Sequence, residues 1–281
     1  MFMESIGFTY RIAEKSSIDI EADSVRLGYA KYTELSMSGV LQRLISELDA
    51  AKLEFVPCRR STEIRTVPKE LMITFPPESI THEYLWPSLS SWLKPHDIVL
   101  TESGTANLGI WDTNFPSNIM CISQTLWGSI GFALPAAQGA ATAAREMNGQ
   151  RVILFVGDGS FQVTAQALGT MITNKLNIII FLINNSGYTM ERWVHGMDAN
   201  YNDIPDWRYS EVPLAFGGNE KTVKTYSVNT KAELEALLAD KTFQSGKGVH
   251  LVDMRMLKED APLTLRMLCT SAARSNAGNV K

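Results

Sequence analysis

Cysteine is scarce in this chain: three residues in 281, Cys58, Cys121 and Cys269, an odd number with no CxxC spacing. That count and spacing exclude a disulfide framework and a thiolate zinc site, and leave reduced thiols as the expectation. Histidine is nearly as rare. His82, His96, His195 and His250 are scattered, with no two adjacent, so all four are read as structural or surface residues rather than as an imidazole metal cluster. A surplus of either charge is also missing, with 26 Lys and Arg against 30 Asp and Glu and a net charge of -4. No basic footprint exists to hold nucleic acid or anionic lipid. The longest apolar runs, 152–156 and 178–183, are far too short to span a bilayer. The opening MFMESIGFTYRIAEKSS has no basic start followed by an apolar run, so no secretory signal is expected and a cytoplasmic location is.

What is present is ordinary globular material, 45% hydrophobic and 20% charged. SIDIEADSVRLGYA reads as strand, and MSGVLQRLISELDA as a helix with Val40, Leu41, Leu44, Ile45 and Leu48 on one face. One short strand and one helix do not make a core. Residues 55–82 hold Pro57, Pro68, Pro76 and Pro77 without a sustained period, which reads as a linker. From residue 83 the pattern turns regular: DIVLTES, NIMCIS, RVILFVG, NIIIFLIN, KTVKTYSV and VHLVDMRM are strands. EYLWPSLSSWL, SIGFALPAAQGAATAARE, VTAQALGTMITNK and KAELEALLAD are helices between them, and a polar tail follows residue 260. Strands apolar on both faces that alternate with helices predict an α/β domain, a doubly wound parallel sheet with helices on both faces. The expected organisation is 1–54, 55–82 as linker, and 83–281 as the main domain.

In such a sheet, ligands gather beyond the carboxyl ends of the strands. Two of those ends are polar: RVILFV runs into Gly157-Asp158-Gly159-Ser160, and NIIIFLI into Asn184-Asn185-Ser186-Gly187-Tyr188. Asp158 and Asn185 stand one strand-helix-strand unit apart, so adjacent strands can bring them to one edge. A carboxylate, a carboxamide oxygen and a carbonyl freed by a glycine turn are hard oxygen ligands of the kind magnesium takes together with phosphate oxygens. Gly159 and Ser160 open a helix, whose free amides attract anions. The combination predicts a metal-bridged diphosphate, although GDGS taken alone also fits a βα turn with a helix cap.

The longer string GDGSFQVTAQALGTMITNKLNIIIFLINNSGYTMERWVHG resembles the signature of thiamine diphosphate enzymes, and GYTMER, HG and YNDIPDW resemble the pyruvate decarboxylase family. That resemblance covers nearly the whole chain. It implies thiamine diphosphate and Mg2+ as cofactors, with Asp158, Asn185 and the Gly187 carbonyl holding the metal and Gly159 and Ser160 meeting the diphosphate. LTESGTANLG is similar to the segment that lays a Thr on the diphosphate, which implies Thr105, with Ser103 standing where the family often has Thr. ISQTLWGSIGFALPAA is similar to the segment that grips the aminopyrimidine, which implies the Gly128 carbonyl, the Ile130 amide and the Ile130 side chain as a wedge. Glu191 matches the catalytic glutamate that assists proton transfers, and Met190 an apolar residue of the substrate pocket. The implied reaction is non-oxidative decarboxylation of a 2-oxo acid to an aldehyde and carbon dioxide.

Family members are longer, with a pyrimidine-binding domain that supplies an activating glutamate and a His-His pair at the substrate. This sequence matches their C-terminal part only, residues 1–54 being similar to the end of a middle domain, so the expectation is a truncated chain with half a site. Its expected partner is a pyrimidine-binding domain chain or a full-length homologous subunit, in an oligomer when active. Two alternatives stand beside a split decarboxylase: a remnant that binds magnesium and cofactor without turnover, and a carboligase half, which Glu191 disfavours. The 2-oxo acid itself is not fixed by the sequence.

Overall fold

The structure, a computed structural model, describes Lys15 and residues 17–52, 71–124, 126–147 and 149–278. Cys58, Pro57 and Pro68 lie outside the described residues. The chain divides into two compact units, Met1–Thr66 and Val67–Lys281.

In the first unit, β1 (Ile18–Ile20), β2 (Ser24–Leu27) and β3 (Ala30–Thr33) form an antiparallel meander. The single strand expected from the sequence is cut in three, by a bend at Ala22-Asp23 and by the Gly28-Tyr29 pair, which makes a hairpin turn with Gly28 at φ 56°. α1 (Met37–Glu47) follows, capped by Ser36, whose hydroxyl accepts from the Gly39 amide. No residue of α1 is buried.

The second unit contains α2 (His82–Leu89), β4 (Ile98–Thr101), α3 (Thr105–Gly109), β5 (Met120–Ser123) and α4 (Ala133–Glu146). Then come β6 (Val152–Gly157), α5 (Asp158–Thr164), α6 (Ala167–Thr173), β7 (Ile178–Asn184), α7 (Thr189–His195) and α8 (Val212–Ala215). β8 (Val223–Val228), α9 (Lys231–Ala239), α10 (Lys241–Gln244), β9 (Val249–Arg255) and α11 (Leu263–Gly278) complete it. The six strands pair in parallel in the order β5-β4-β6-β7-β9-β8. Alternate residues of the central strands enter two cores. Leu154, Val156, Ile180 and Leu182 pack under α4 and α6, and Ile153, Phe155, Ile179 and Phe181 under α2, α9 and α10. Both faces are covered, which explains why the strands read as unbroken apolar runs. The chain goes from β4 outward to β5, then back across β4 to β6. That reversal sets a crevice between the carboxyl ends of β4 and β6.

Four boundaries depart from the sequence expectation, each for a local reason. Within the stretch expected as linker, Leu71 and Ile80 are buried, Ser79 bridges to Thr230, and the Leu71 carbonyl accepts from Arg266. Single apolar residues between prolines carry no period that could announce this. The helix expected from Ser129 begins at Ala133, since Gly131 sits at φ 83° and Ile130 and Gly131 form a turn. The helix expected from Val163 begins at Asp158, directly off β6, and breaks before Ala167. The polar tail is a helix, α11, that buries Leu265 and Cys269 against Leu108 and Ala261. No helix among the described residues is long and apolar enough to cross a membrane.

Candidate active site

The carboxyl ends of β4, β6 and β7 bring the polar residues of the sequence to one edge. Asp158, the first residue after β6, is 1% exposed. Its Oδ1 accepts from the Gly159 amide at 2.7 Å, and its Oδ2 from the Asn185 and Gly187 amides, both at 3.1 Å. Asp158 therefore fastens the turn after β7 to the start of α5. Burial pushes its carboxyl up to about 6, against the opposing pull of those backbone amides.

Asn185, 3% exposed, lies beside it. Its side-chain oxygen faces Asp158 Oδ1 at 3.2 Å and the Gly187 carbonyl oxygen at 2.9 Å, while its nitrogen faces Thr189 Oγ1 at 2.8 Å. In that orientation of the amide three acceptors meet with no proton among them. With the amide turned over, its N–H groups lie between those oxygens and its own oxygen accepts from the Thr189 hydroxyl, which otherwise donates to the Lys258 carbonyl at 3.0 Å. The spot has to be filled by something positive, either amide hydrogens or a cation. A carboxylate, a carboxamide oxygen and a carbonyl suit a hard cation such as Mg2+ or Ca2+. No group of three or more His, Cys, Asp and Glu that could hold a metal ion occurs among the described residues.

The Gly187 turn is tightly specified. Ser186 sits at φ 60° and Gly187 at φ 125°, and a Cβ on Gly187 would lie 2.1 Å from the Asn202 carbonyl oxygen. Arg192, buried beneath it, donates to the carbonyls of Ser186 at 2.8 Å, Asn202 at 3.3 Å and Met197 at 3.0 Å, and to Asp203 at 2.6 Å. Gly159, buried at the start of α5, meets the Tyr188 ring, which a Cβ there would strike at 2.5 Å. Its amide is engaged by Asp158, and Ser160 beside it is 6% exposed.

Across the crevice, Ser103 and Gly104 turn the chain out of β4, with Gly104 at φ 117°, and Thr105 opens α3, 8% exposed. Ser103 Oγ approaches the Gln124 carbonyl at 3.5 Å. Gly128 (φ 59°) and Ile130 lie in the loop after β5, where Leu126, Trp127 and Ile130 are 71%, 79% and 45% exposed. One buried carboxylate joins these segments. Glu102 accepts from the amides of Ser103 at 2.8 Å, Gly131 at 3.1 Å and Ala133 at 3.0 Å. Burial pushes its carboxyl up, opposed by those same amides.

Glu191 projects from α7 half-exposed, with His195 Nε2 3.5 Å from its carboxylate. The structure thus gives His195, read from sequence as merely structural or surface, a direct contact with Glu191. Met190 is half-buried and packs on the cluster of Leu108, Ala261, Leu265 and Cys269 that joins α7, α3 and α11. Thr189 and Trp193 fix α7 through hydrogen bonds to the carbonyls of Lys258 and Glu259. The residues that sequence reasoning missed are Glu102 and Arg192. An acid ending an apolar strand and an arginine next to TME were their only signals.

The chain is similar to known proteins over the segments that form this edge. The chain is 46% identical over 270 residues to a pyruvate decarboxylase of Aspergillus fumigatus, which covers 96% of the chain and 46% of that relative. It is 45% identical over 271 residues to a pyruvate decarboxylase of Aspergillus terreus, covering 96% and 47%. The chain therefore spans about half the length of the curated relatives it matches. Among solved structures, benzoylformate decarboxylase from Polynucleobacter necessarius superposes with a TM-score of 0.53 at 21% identity, over 64% of this chain and 34% of that one, a likeness of fold alone. The family described as thiamine pyrophosphate enzyme, C-terminal TPP binding domain, matches residues 103–254, from the turn after β4 to the end of β9, and the chain belongs to that family.

Proposed function

We propose that this edge binds Mg2+ and thiamine diphosphate and forms the diphosphate side of a 2-oxo-acid decarboxylase, with pyruvate or an aromatic 2-oxo acid as substrate. The observation that carries the proposal is the convergence of the buried Asp158 carboxylate, the Asn185 side-chain amide and the Gly187 carbonyl at the ends of β6 and β7, around a spot that amide hydrogens or a cation can fill. It lies inside the segment that matches the cofactor-binding family. In this reading these three oxygens hold the metal, and Gly159, Ser160, Ser103 and Thr105 surround the diphosphate. The Gly128 carbonyl and Ile130 receive the aminopyrimidine. When bound, the cofactor supplies the electron sink into which the carbon–carboxylate bond breaks.

The chain's own residues would orient and manage protons. In this reading Glu191 holds or delivers a proton at the substrate carbon, and His195 Nε2 lies 3.5 Å from its carboxylate. Met190 and Trp193 belong to the apolar packing that sets the position of α7. The exposed Leu126, Trp127 and Ile130 leave the aminopyrimidine side open to solvent. A pyrimidine-binding domain, from a partner chain or a homologous subunit in an oligomer, completes it in this reading. The first unit, with its meander and α1, is assigned to a middle domain on the same grounds of resemblance.

The test is release of carbon dioxide from pyruvate, phenylpyruvate and indolepyruvate with thiamine diphosphate and Mg2+, by the chain alone and with a pyrimidine-domain partner. Magnesium-dependent binding of thiamine diphosphate, with turnover only in the presence of the partner, is the expected result. Turnover by the chain alone removes the half-site argument, and absence of cofactor binding removes the proposal. Binding without turnover under both conditions favours a cofactor-binding protein without decarboxylase activity.

A further inference from the structure

Glu102 is 1% exposed at the end of β4, where burial raises its carboxyl against the opposing pull of three backbone amides. Taking a carboxylate out of water with no cation beside it is costly. Three N–H groups converge on it, and only an acceptor-only side chain satisfies them all, since the amide of a glutamine would turn its own N–H groups toward one of the donors. The donors belong to two segments that the site needs at a fixed separation. Ser103 leads into the turn before Thr105, while Gly131 and Ala133 follow Gly128 and Ile130.

The arrangement does more than cap a helix. A cap normally comes from the residue just before the first turn. Phe132, in that position for α4, makes no side-chain cap, and the bond to the Ala133 amide comes instead from a strand 31 residues upstream. Gly131 is held from its other side as well, because its carbonyl accepts from Thr164 of α5 at 3.0 Å. α5 is the helix that begins with Asp158. Through Gly131, the exposed loop is thus tied to both walls of the crevice.

We propose that Glu102 is a positioning residue of the cofactor site: its carboxylate locks the Gly128–Gly131 turn to the end of β4, and so sets the distance between the diphosphate grip and the aminopyrimidine grip. This rests on the reading of the site under Proposed function. A ligand with only the diphosphate end does not span that distance, and a ligand with both ends does.

The experiment compares wild-type chain with Glu102→Gln, using two probes with Mg2+, inorganic pyrophosphate and thiamine diphosphate, by titration calorimetry. Amide hydrogen exchange of the ligand-free proteins is measured alongside. In the variant, thiamine diphosphate affinity is expected to fall about tenfold or more, pyrophosphate affinity to stay within about twofold. Exchange at Gly131 and Ala133 is expected to accelerate while that at Gly159, Asn185 and Gly187 does not. Equal loss for both probes, loss for neither, or unchanged exchange at Gly131 overturns the proposal. So does a wild-type chain that binds pyrophosphate but not thiamine diphosphate. A wild-type chain that binds neither probe overturns the proposed function, and this inference with it. Should Glu102→Gln not accumulate as folded protein, Glu102→Asp, which keeps the charge and withdraws it by one methylene, is judged by the same outcomes.

Discussion

The two ends of the crevice are built differently. At the β6–β7 end, Asp158 and Asn185 are 1% and 3% exposed, and the turn that carries Gly187 is held by Asp158 from one side and Arg192 from the other. At the β5 end, Leu126, Trp127 and Ile130 face solvent. Apart from the Glu102 and Thr164 bonds to Gly131, the loop is steadied by Gln124, which accepts from the Trp127 amide and donates to Ser129. Folding alone prepares the first end, with acceptors already aimed at a point. The second end has its backbone fixed at Gly131 and its side chains free, as expected for a surface completed by a ligand or a partner. Preorganised ends respond steeply to substitution and open ends do not.

The largest expected effect tests the prepared end. Asp158→Ala removes one oxygen of the metal set and three acceptor bonds at once, and should lower magnesium-dependent affinity for thiamine diphosphate by about a hundredfold or more. Uptake that persists unchanged in a calorimetric titration shows that the metal assignment is wrong and that the two ends do not differ as described. Gly187→Ala comes next. Its Cβ would meet the Asn202 carbonyl oxygen at 2.1 Å on a backbone at φ 125°, so urea unfolding should show a loss of about 2 kcal/mol or more. A loss under about 0.5 kcal/mol would mean that the turn is soft and that Arg192 does not pin it.

Proton linkage gives a third test of the same end. Burial raises the Asp158 carboxyl from its ordinary 3.8 to about 6. Without metal, the native state then holds this proton more tightly than the unfolded state does. Asp158's contribution to stability is thus fullest below about 3.8 and is lost as pH rises through about 6. Metal needs the ionised form, so Mg2+ affinity should fall by up to about tenfold per pH unit below 6. Thermal unfolding with and without Mg2+ checks this: the stabilisation should be larger at about pH 7.5 than at about pH 5. Equal stabilisation at both separates Asp158 from the metal.

The same contrast governs what could be read from sequence. The sheet was legible because its strands are buried on both faces and bounded by polar turns, which leaves a one-dimensional trace in VILFV and IIIFLI. Asp158, Asn185 and Gly187 were legible because local chemistry groups them at two strand ends. Glu102 and Arg192 were not, since their partners, Ala133 for one and Asn202 for the other, are brought near by the chain's path. α11 was missed for a related reason. Its buried apolar residues, Leu265 and Cys269, face Leu108 of a distant helix, while the sequence beyond them is small and polar. The residues just before α4 read as helix in the sequence because Ser129 and Ile130 have no helix-breaking chemistry. It is Gly131 and the distant carboxylate that bend them.

The smallest expected effect belongs to the open end and sharpens the comparison most. Ile130 is 45% exposed, so Ile130→Ala removes little buried surface and should change unfolding stability by no more than about 0.5 kcal/mol. The same truncation at Ile180, fully buried in β7 under α4 and α6, should cost about 2–5 kcal/mol. If Ile130 serves the cofactor, its loss appears only when thiamine diphosphate is present, as a few-fold weaker affinity worth about 1 kcal/mol of contact. Inorganic pyrophosphate, which does not reach that end, should bind as before. A drop in stability comparable to that of Ile180→Ala would make Ile130 a packing residue after all, and the β5 end would then be as closed as the other.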